Sequence, residues 1–256
     1  MKLKSLFYIF ALFTSIVLLN GCGVKDYHSS ARPIKHTLWD SLLKAHVDGQ
    51  GWVDYKGFIQ DSNKVNKYLQ LLGMHHPNDK WSINEQKAYW INLYNAYTVK
   101  LIMDHYPTPS IKDIKKGIPF VNTVWDIKFI HIEGATYDLN NIEHGILRPK
   151  FKDPRVHFAV NCASFSCPAL RNEAYTAKKL DRQLDDAARI FLSDQNKNII
   201  TPMDIQISKI FSWYRGDFKI NGGNIIDFLN KYAPTKIEKN ASIHYLDYKW
   251  TLNEQK

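Results

Sequence analysis

Residues 82–105 constrain this chain more than any other stretch. Ala88, Ile91, Leu93, Tyr94, Val99, Leu101 and Ile102 cover much of a helical circumference. A helix that is apolar on most sides must be buried, so the rest of the fold has to wrap around it. Ser82 followed by Glu85 reads as a capping box at its start. Pro107 and Pro109 mark its end. Asn92 and Asn95 lie three apart and therefore share a face. Buried amides need partners. These two are expected either to hold backbone of the 161–167 loop or to donate to an oxyanion.

Around that helix the sequence reads as α+β, with helices packed on a mainly antiparallel sheet. Apolar periodicity predicts helices over Thr37–His46 and Ser62–Leu72, and an extended piece over Val53–Phe58. A hairpin is expected over Trp125–Leu139, turning at Glu133-Gly134. Asn140–Arg148 reads as a short helix and Val156–Cys162 as a buried strand. Tyr175–Leu192 reads as an amphipathic helix and Ile205–Phe211 as a strand. A helix over Asn224–Tyr232 and a closing strand over Ile243–Leu252 complete the pattern.

The N-terminus reads as a targeting signal. Lys2 and Lys4 precede an apolar run from Leu6 to Leu19. That run is shorter than the roughly 20 residues a membrane-spanning helix needs, and it fits a signal peptide over residues 1–21. Leu19-Asn20-Gly21-Cys22 resembles a bacterial lipobox. The resemblance implies cleavage before Cys22, lipidation of that residue, and membrane attachment through the lipid. Gly23 in place of Asp points to the outer membrane, facing the periplasm. Residues 22–35 read as a tether and 36–256 as one domain. The net charge of +9 is scattered and suits a solvated surface. Nucleic acid is not an expected partner of an exported chain that carries no recognition motif.

Chemistry concentrates in Asp153–Arg171. Cys162 and Cys167 lie five apart. They can form a disulfide, remain inert thiols, or supply a catalytic thiolate. The spacing is not that of a zinc site, and neither a metal nor a cofactor is expected. Pro168 favours a helix start, which would make Cys167 an N-cap. His144 is the first-choice base, with Glu143 beside it. Neighbours on a helix point about 100° apart, so Glu143 does not easily orient His144. Glu143 has a second reading, as the third residue of a capping box begun by Asn140. His157 is the second-choice base. Arg148 and Arg155 can bind a carboxylate or sugar acid, or form internal salt bridges, to Asp217 or Glu143 for instance. Trp213, Tyr214, Asp217 and Phe218 read mainly as core, with Asp217 a buried acceptor.

Five segments in order, WINLYNAYTV (90–99), IEHGILR (142–148), DPRVHFAVNCASFSCPALRNEAY (153–175), SKIFSWYRGDF (208–218) and YKWTLN (248–253), resemble the DUF547 family. The resemblance runs from about His36 to Asn253. It departs from the family's usual pattern at Ser166, where glycine is usual, and at Lys249, where aspartate is usual. It implies little about activity. By analogy it suggests a papain-like or transglutaminase-like arrangement. A thiol redox role is permitted by the close cysteine pair but weakened by the lack of a CxxC spacing, and two readings stand ahead of it. One is a lipid-anchored binding or scaffolding module stapled by Cys162 and Cys167. The other is a cysteine-dependent acyl-transfer hydrolase acting on envelope peptide or peptidoglycan, with Cys162 as nucleophile, His144 as base, and Glu143 or an asparagine orienting it.

Overall fold

The computed structural model describes residues 29–115, 123–219 and 223–256. The signal, Cys22 and the first part of the tether lie outside these residues, as does Lys116. Four helices open the domain: α1 (Thr37–His46), α2 (Tyr55–Gln60), α3 (Ser62–Gly73) and α4 (Ile83–His105). The α4 capping box forms as expected, with Ser82 and Glu85 each serving the other's backbone N–H. α4 is buried on nearly every face. α2 and α3 pack against it and α1 packs on those two, with Trp39 stacked on Tyr68 at 5.6 Å.

Strands β1 (Ile130–Ile132) and β2 (Ala135–Tyr137) form the expected antiparallel hairpin. Glu133 and Gly134 both have positive φ, 44° and 86°, as a two-residue hairpin turn requires. A π-helical segment, Asn141–Leu147, runs into α5 (Arg148–Phe151). Further along lie α6 (Leu180–Ser193), β3 (Ile199–Ile200), β4 (Asp204–Ser208), α7 (Ile210–Trp213), α8 (Ile225–Leu229) and β5 (Ser242–Leu246). β4 pairs antiparallel with β3 and parallel with β5. The fold is α+β, with two small, mostly antiparallel sheets.

Several expectations need correction. Val53–Phe58 is not extended. Only Val53 bridges to neighbours, because the Asp54 side chain accepts from Gly57 N–H and starts α2 at once. Val156–Cys162 is not a strand. Pro154–Phe158 is a 3-10 turn, begun by Asp153, whose side chain accepts from Arg155 N–H. An apolar run of this length does not distinguish strand from helix by periodicity. Backbone groups after the turn find side chains instead of a ladder: Asn95 donates to Ala159 O at 2.9 Å and accepts from Asn161 N–H at 2.8 Å. The expected strand over 205–211 ends at Ser208 and turns into α7. The helix expected from Tyr175 begins only at Leu180.

The 154–160 segment lies where two cores meet. Ala159 and Val160 pack into the core built on α4. Phe158 packs into a second core with Phe191, Phe211, Phe218 and Phe228. The turn between the cores thus delivers His157 and, just beyond it, Cys162.

Candidate functional site

Cys162 closes a tight turn. Asn161 uses its side chain to hold the turn together, donating to Pro168 O at 2.6 Å and accepting from Ala163 N–H at 2.8 Å. Ala163 then sits in the left-handed region at φ 59°, a strained conformation of the kind that gathers at functional loops. Gly51 backs this loop. A Cβ there would meet the Ala169 Cβ at 2.4 Å, and its φ is 85°, so only glycine fits.

The loop is pinned to the C-terminal segment. Phe165 N–H donates to Thr251 O at 2.7 Å, and Ser164 bridges to Leu252. The two departures from the family pattern meet here. Ser166 Oγ accepts from Lys249 N–H at 2.9 Å, a bond that glycine could not make, while Ser166 N–H donates to Lys249 O at 3.2 Å. This pinning sets Tyr248 over the thiol.

Neither cysteine is in a disulfide. Cys167 is buried, and its sulfur accepts the Cys162 N–H at 2.8 Å. Cys162 is partly exposed, with the hydroxyls of Ser164 and Tyr248 each 3.2 Å from its sulfur. Burial alone would raise the Cys162 pKa. Hydrogen bonds from Cys167, Ser164 and Tyr248 outweigh that and bring it below the usual thiol value. Burial pushes the Cys167 thiol well up, and a thiolate at Cys162 would push it further. The surroundings thus shift the two thiols in opposite directions, Cys162 down and Cys167 up.

Cys162 and Cys167 border a small cavity of about 70 Å³ together with Glu143, His157, Tyr94 and Tyr248. Glu143 is buried and accepts from Tyr94 O–H at 3.2 Å. His157 is buried and stacks on Tyr214 at 3.9 Å. Its Nε2 lies 2.8 Å from Asp217 Oδ2, and its Nδ1 lies 3.9 Å from Glu143 Oε1, too long for a hydrogen bond. Hydrogen bonds from His157 and Arg148 hold the Asp217 carboxyl well below the usual range. Burial, reinforced by the Glu143 charge, raises the hydroxyl pKa of Tyr94 and Tyr214.

The structure therefore gathers Cys162, Cys167, Glu143 and His157, and separates the other sequence candidates from them. His144 is exposed and does not border the cavity; its Nδ1 meets Arg148 at 2.7 Å. The turn angle that keeps adjacent helical residues apart sends Glu143 inward and His144 outward. The capping-box reading of Glu143 does not hold either. Asn140 makes no cap, and Asp138 accepts from Asn141 N–H instead. Arg148 is committed to Asp217 through two bonds, of 2.6 and 3.0 Å. Arg155 is enclosed by Asp153, Asp181 and Asp185. Asn92 clamps the backbone of Tyr175 through both ends of its amide, as Asn95 clamps Ala159 and Asn161, so neither amide is free to face an oxyanion. Tyr248 and Ser164 were not legible as site residues. Tyr248 approaches the sulfur only because the C-terminal segment folds back, and Ser164 does so through the tight turn at Ala163. Among the described residues no cluster of three or more His, Cys, Asp or Glu side chains is placed to hold a metal ion.

Fold and site together define an α+β protein in which a hydroxyl-bonded thiol, a buried carboxylate and an imidazole paired with a second carboxylate are gathered at one cavity. Residues 78–192 match the model of a family described as protein of unknown function, DUF547, which supports the resemblance seen in the motifs. The matched segment contains Glu143, His157, Cys162 and Cys167, whereas Asp217 and Tyr248 lie beyond it. No curated protein matches the chain, and no solved structure does.

Proposed function

We propose that Cys162 is the nucleophile of an acyl-transfer hydrolase, with Glu143 and His157, which line the same cavity, and not His144, as its acid–base groups. One observation carries this reading. The sulfur of the half-buried Cys162 is held by two hydroxyls at a cavity that is also lined by a buried carboxylate and an imidazole. The Cys162 sulfur would attack the carbonyl carbon of an ester or amide, forming a C–S bond. The C–O or C–N bond breaks, and the leaving oxygen or nitrogen takes the proton the thiol gave up. Water then cleaves the thioester, releasing a carboxylic acid and restoring the thiol. Envelope peptide or peptidoglycan is the proposed source of the carbonyl. The binding or scaffolding reading keeps one supporting observation: none of the hydrogen-bond partners of the Cys162 sulfur is an imidazole.

The test is the pH–rate profile of alkylation by iodoacetamide. Cys162 should titrate below an ordinary thiol. Tyr248→Phe should move the midpoint up and slow labelling at neutral pH by about three- to tenfold. An unchanged profile in Tyr248→Phe, or labelling no faster than a free thiol, would favour the scaffolding reading.

Attachment to the outer membrane through Cys22, facing the periplasm, is proposed on the sequence alone. The full-length chain expressed in bacteria should incorporate radiolabelled palmitate and partition into detergent. Cys22→Ser should lose both properties. Palmitate incorporation that survives Cys22→Ser would refute the assignment.

A further inference from the structure

The cavity beside Cys162 is far smaller than the roughly 300–1,000 Å³ of a pocket that engulfs its ligand. A substrate can insert little more than its reacting group, and the rest must lie on the rim. That rim is aromatic. Trp125, Trp213, Tyr248 and Trp250 all border the cavity. Trp213 and Trp250 lie nearly parallel, with ring centres 5.9 Å apart and planes 24° apart. Tyr248 joins them, 4.8 Å from Trp213 and 4.6 Å from Trp250, and Trp125 packs edge-on to Trp250 at 5.6 Å. Trp213 is 48% exposed, unusual for a tryptophan that the structure could have buried.

The same rim is basic. The Lys112 ammonium lies 4.9 Å over the Trp250 ring, whereas Lys249 lies over Phe165, which borders a separate cavity. Lys112 has no carboxylate partner among the described residues. The acid beside Tyr248, Asp247, is paired with Lys209 at 3.2 Å. A cage of aromatic rings alone would suit a quaternary ammonium. The Lys112 ammonium at its edge repels such a ligand and attracts an anion.

We propose that the rim of the Cys162 cavity binds a saccharide ring bearing a carboxylate, the ring lying on the exposed Trp213 and the carboxylate meeting Lys112 over Trp250. The C–H faces of a pyranose pack on indole faces, and its substituents point outward to hydrogen-bond. A flat ring on the rim lets a short acyl-bearing arm reach the sulfur. This names the substrate class for the acyl-transfer reading and rests on that reading only for the reacting carbonyl, not for binding.

A matched pair of probes tests it. N-acetylmuramic acid and N-acetylglucosamine share a ring and differ by a carboxylated ether arm. Binding of each is measured by tryptophan fluorescence titration and saturation-transfer NMR on the full-length chain carrying Cys162→Ser, so that loss of thiol chemistry leaves the assay intact. N-acetylmuramic acid is expected to bind about tenfold more tightly. Trp213→Ala should weaken it about tenfold, as removal of a stacking aromatic does. Lys112→Glu should abolish the preference between the sugars, with circular dichroism showing each variant folded. Equal binding of the two sugars, binding indifferent to Trp213→Ala, absence of binding to a folded chain, or preferential binding of choline would each overturn the proposal. Failure here with a reactive Cys162 would leave the thiol reading standing, and the reverse result would leave the saccharide site standing.

Discussion

Asp153→Ala is expected to lower stability by about 3–5 kcal/mol, the cost of removing one partner from a buried ion pair. Asp153 accepts from Lys87 Nζ at 2.8 Å, and both side chains are nearly buried. It also accepts from Arg155 at 2.8 Å and 2.9 Å and begins the 3-10 turn that leads to His157. Alanine leaves the Lys87 ammonium inside α4 without a carboxylate. Arg155 keeps Asp181 and Asp185. Removing the exposed contact alone, by Asp181→Ala, is expected to cost less than about 1 kcal/mol. Urea unfolding of the two variants measures the contrast, and equal small effects would contradict the assignment. A pH dependence follows from the same residue. Burial alone would raise the Asp153 pKa, but Arg155 and Lys87 bring it from 3.8 down to about 2. A depressed carboxylate stabilises the fold above its unfolded pKa. This contribution, about 2 kcal/mol, should be complete above about pH 5 and lost as pH falls from about 4 through 2. Asp153→Asn should flatten that part of the stability–pH curve.

Asn95→Ala is expected to cost about 2–4 kcal/mol and also to change the chemistry of Cys162. The amide satisfies a buried carbonyl and a buried N–H, those of Ala159 and Asn161. Each left unpaired costs about 1–3 kcal/mol. Asn161 in turn holds Ala163 and Pro168, so loosening it frees the thiol turn. Asn92→Ala should be destabilising to a similar degree, because Asn92 clamps the backbone of Tyr175 in the same two-ended way. Its clamp does not touch the thiol loop, so Cys162 alkylation should keep its wild-type pH profile. Matching stability losses with different thiol behaviour separate the scaffold from the site. Identical thiol behaviour in both variants would contradict the role given to Asn95.

What the sequence revealed and what it hid follow from range. α1, α3 and α4 were legible because their signals are local: apolar spacing, and for α4 a capping box and a stopping proline. The hairpin was legible from Glu133-Gly134, a turn set by two residues. The 156–162 segment was misread as a strand because its backbone partners come from Asn95, more than sixty positions earlier. The choice of base was misdirected for a related reason. The π-helical segment turns Glu143 inward against Tyr94 and leaves His144 outside, which depends on the position of α4. Tyr248 and Ser164 were invisible as thiol partners because Tyr248 reaches the sulfur only when the C-terminal segment pairs with the 164–166 loop. The cysteines and Glu143 stood out as residue types, and their environment emerged only in three dimensions.

The most direct test of the central claim is mass spectrometric mapping of iodoacetamide adducts on protein isolated without reductant, at neutral pH. A thiol shifted down in pKa beside a neighbour shifted up predicts rapid modification at Cys162 and none at Cys167 until the chain is unfolded. A Cys162–Cys167 disulfide, or equally slow labelling of both residues, would contradict it.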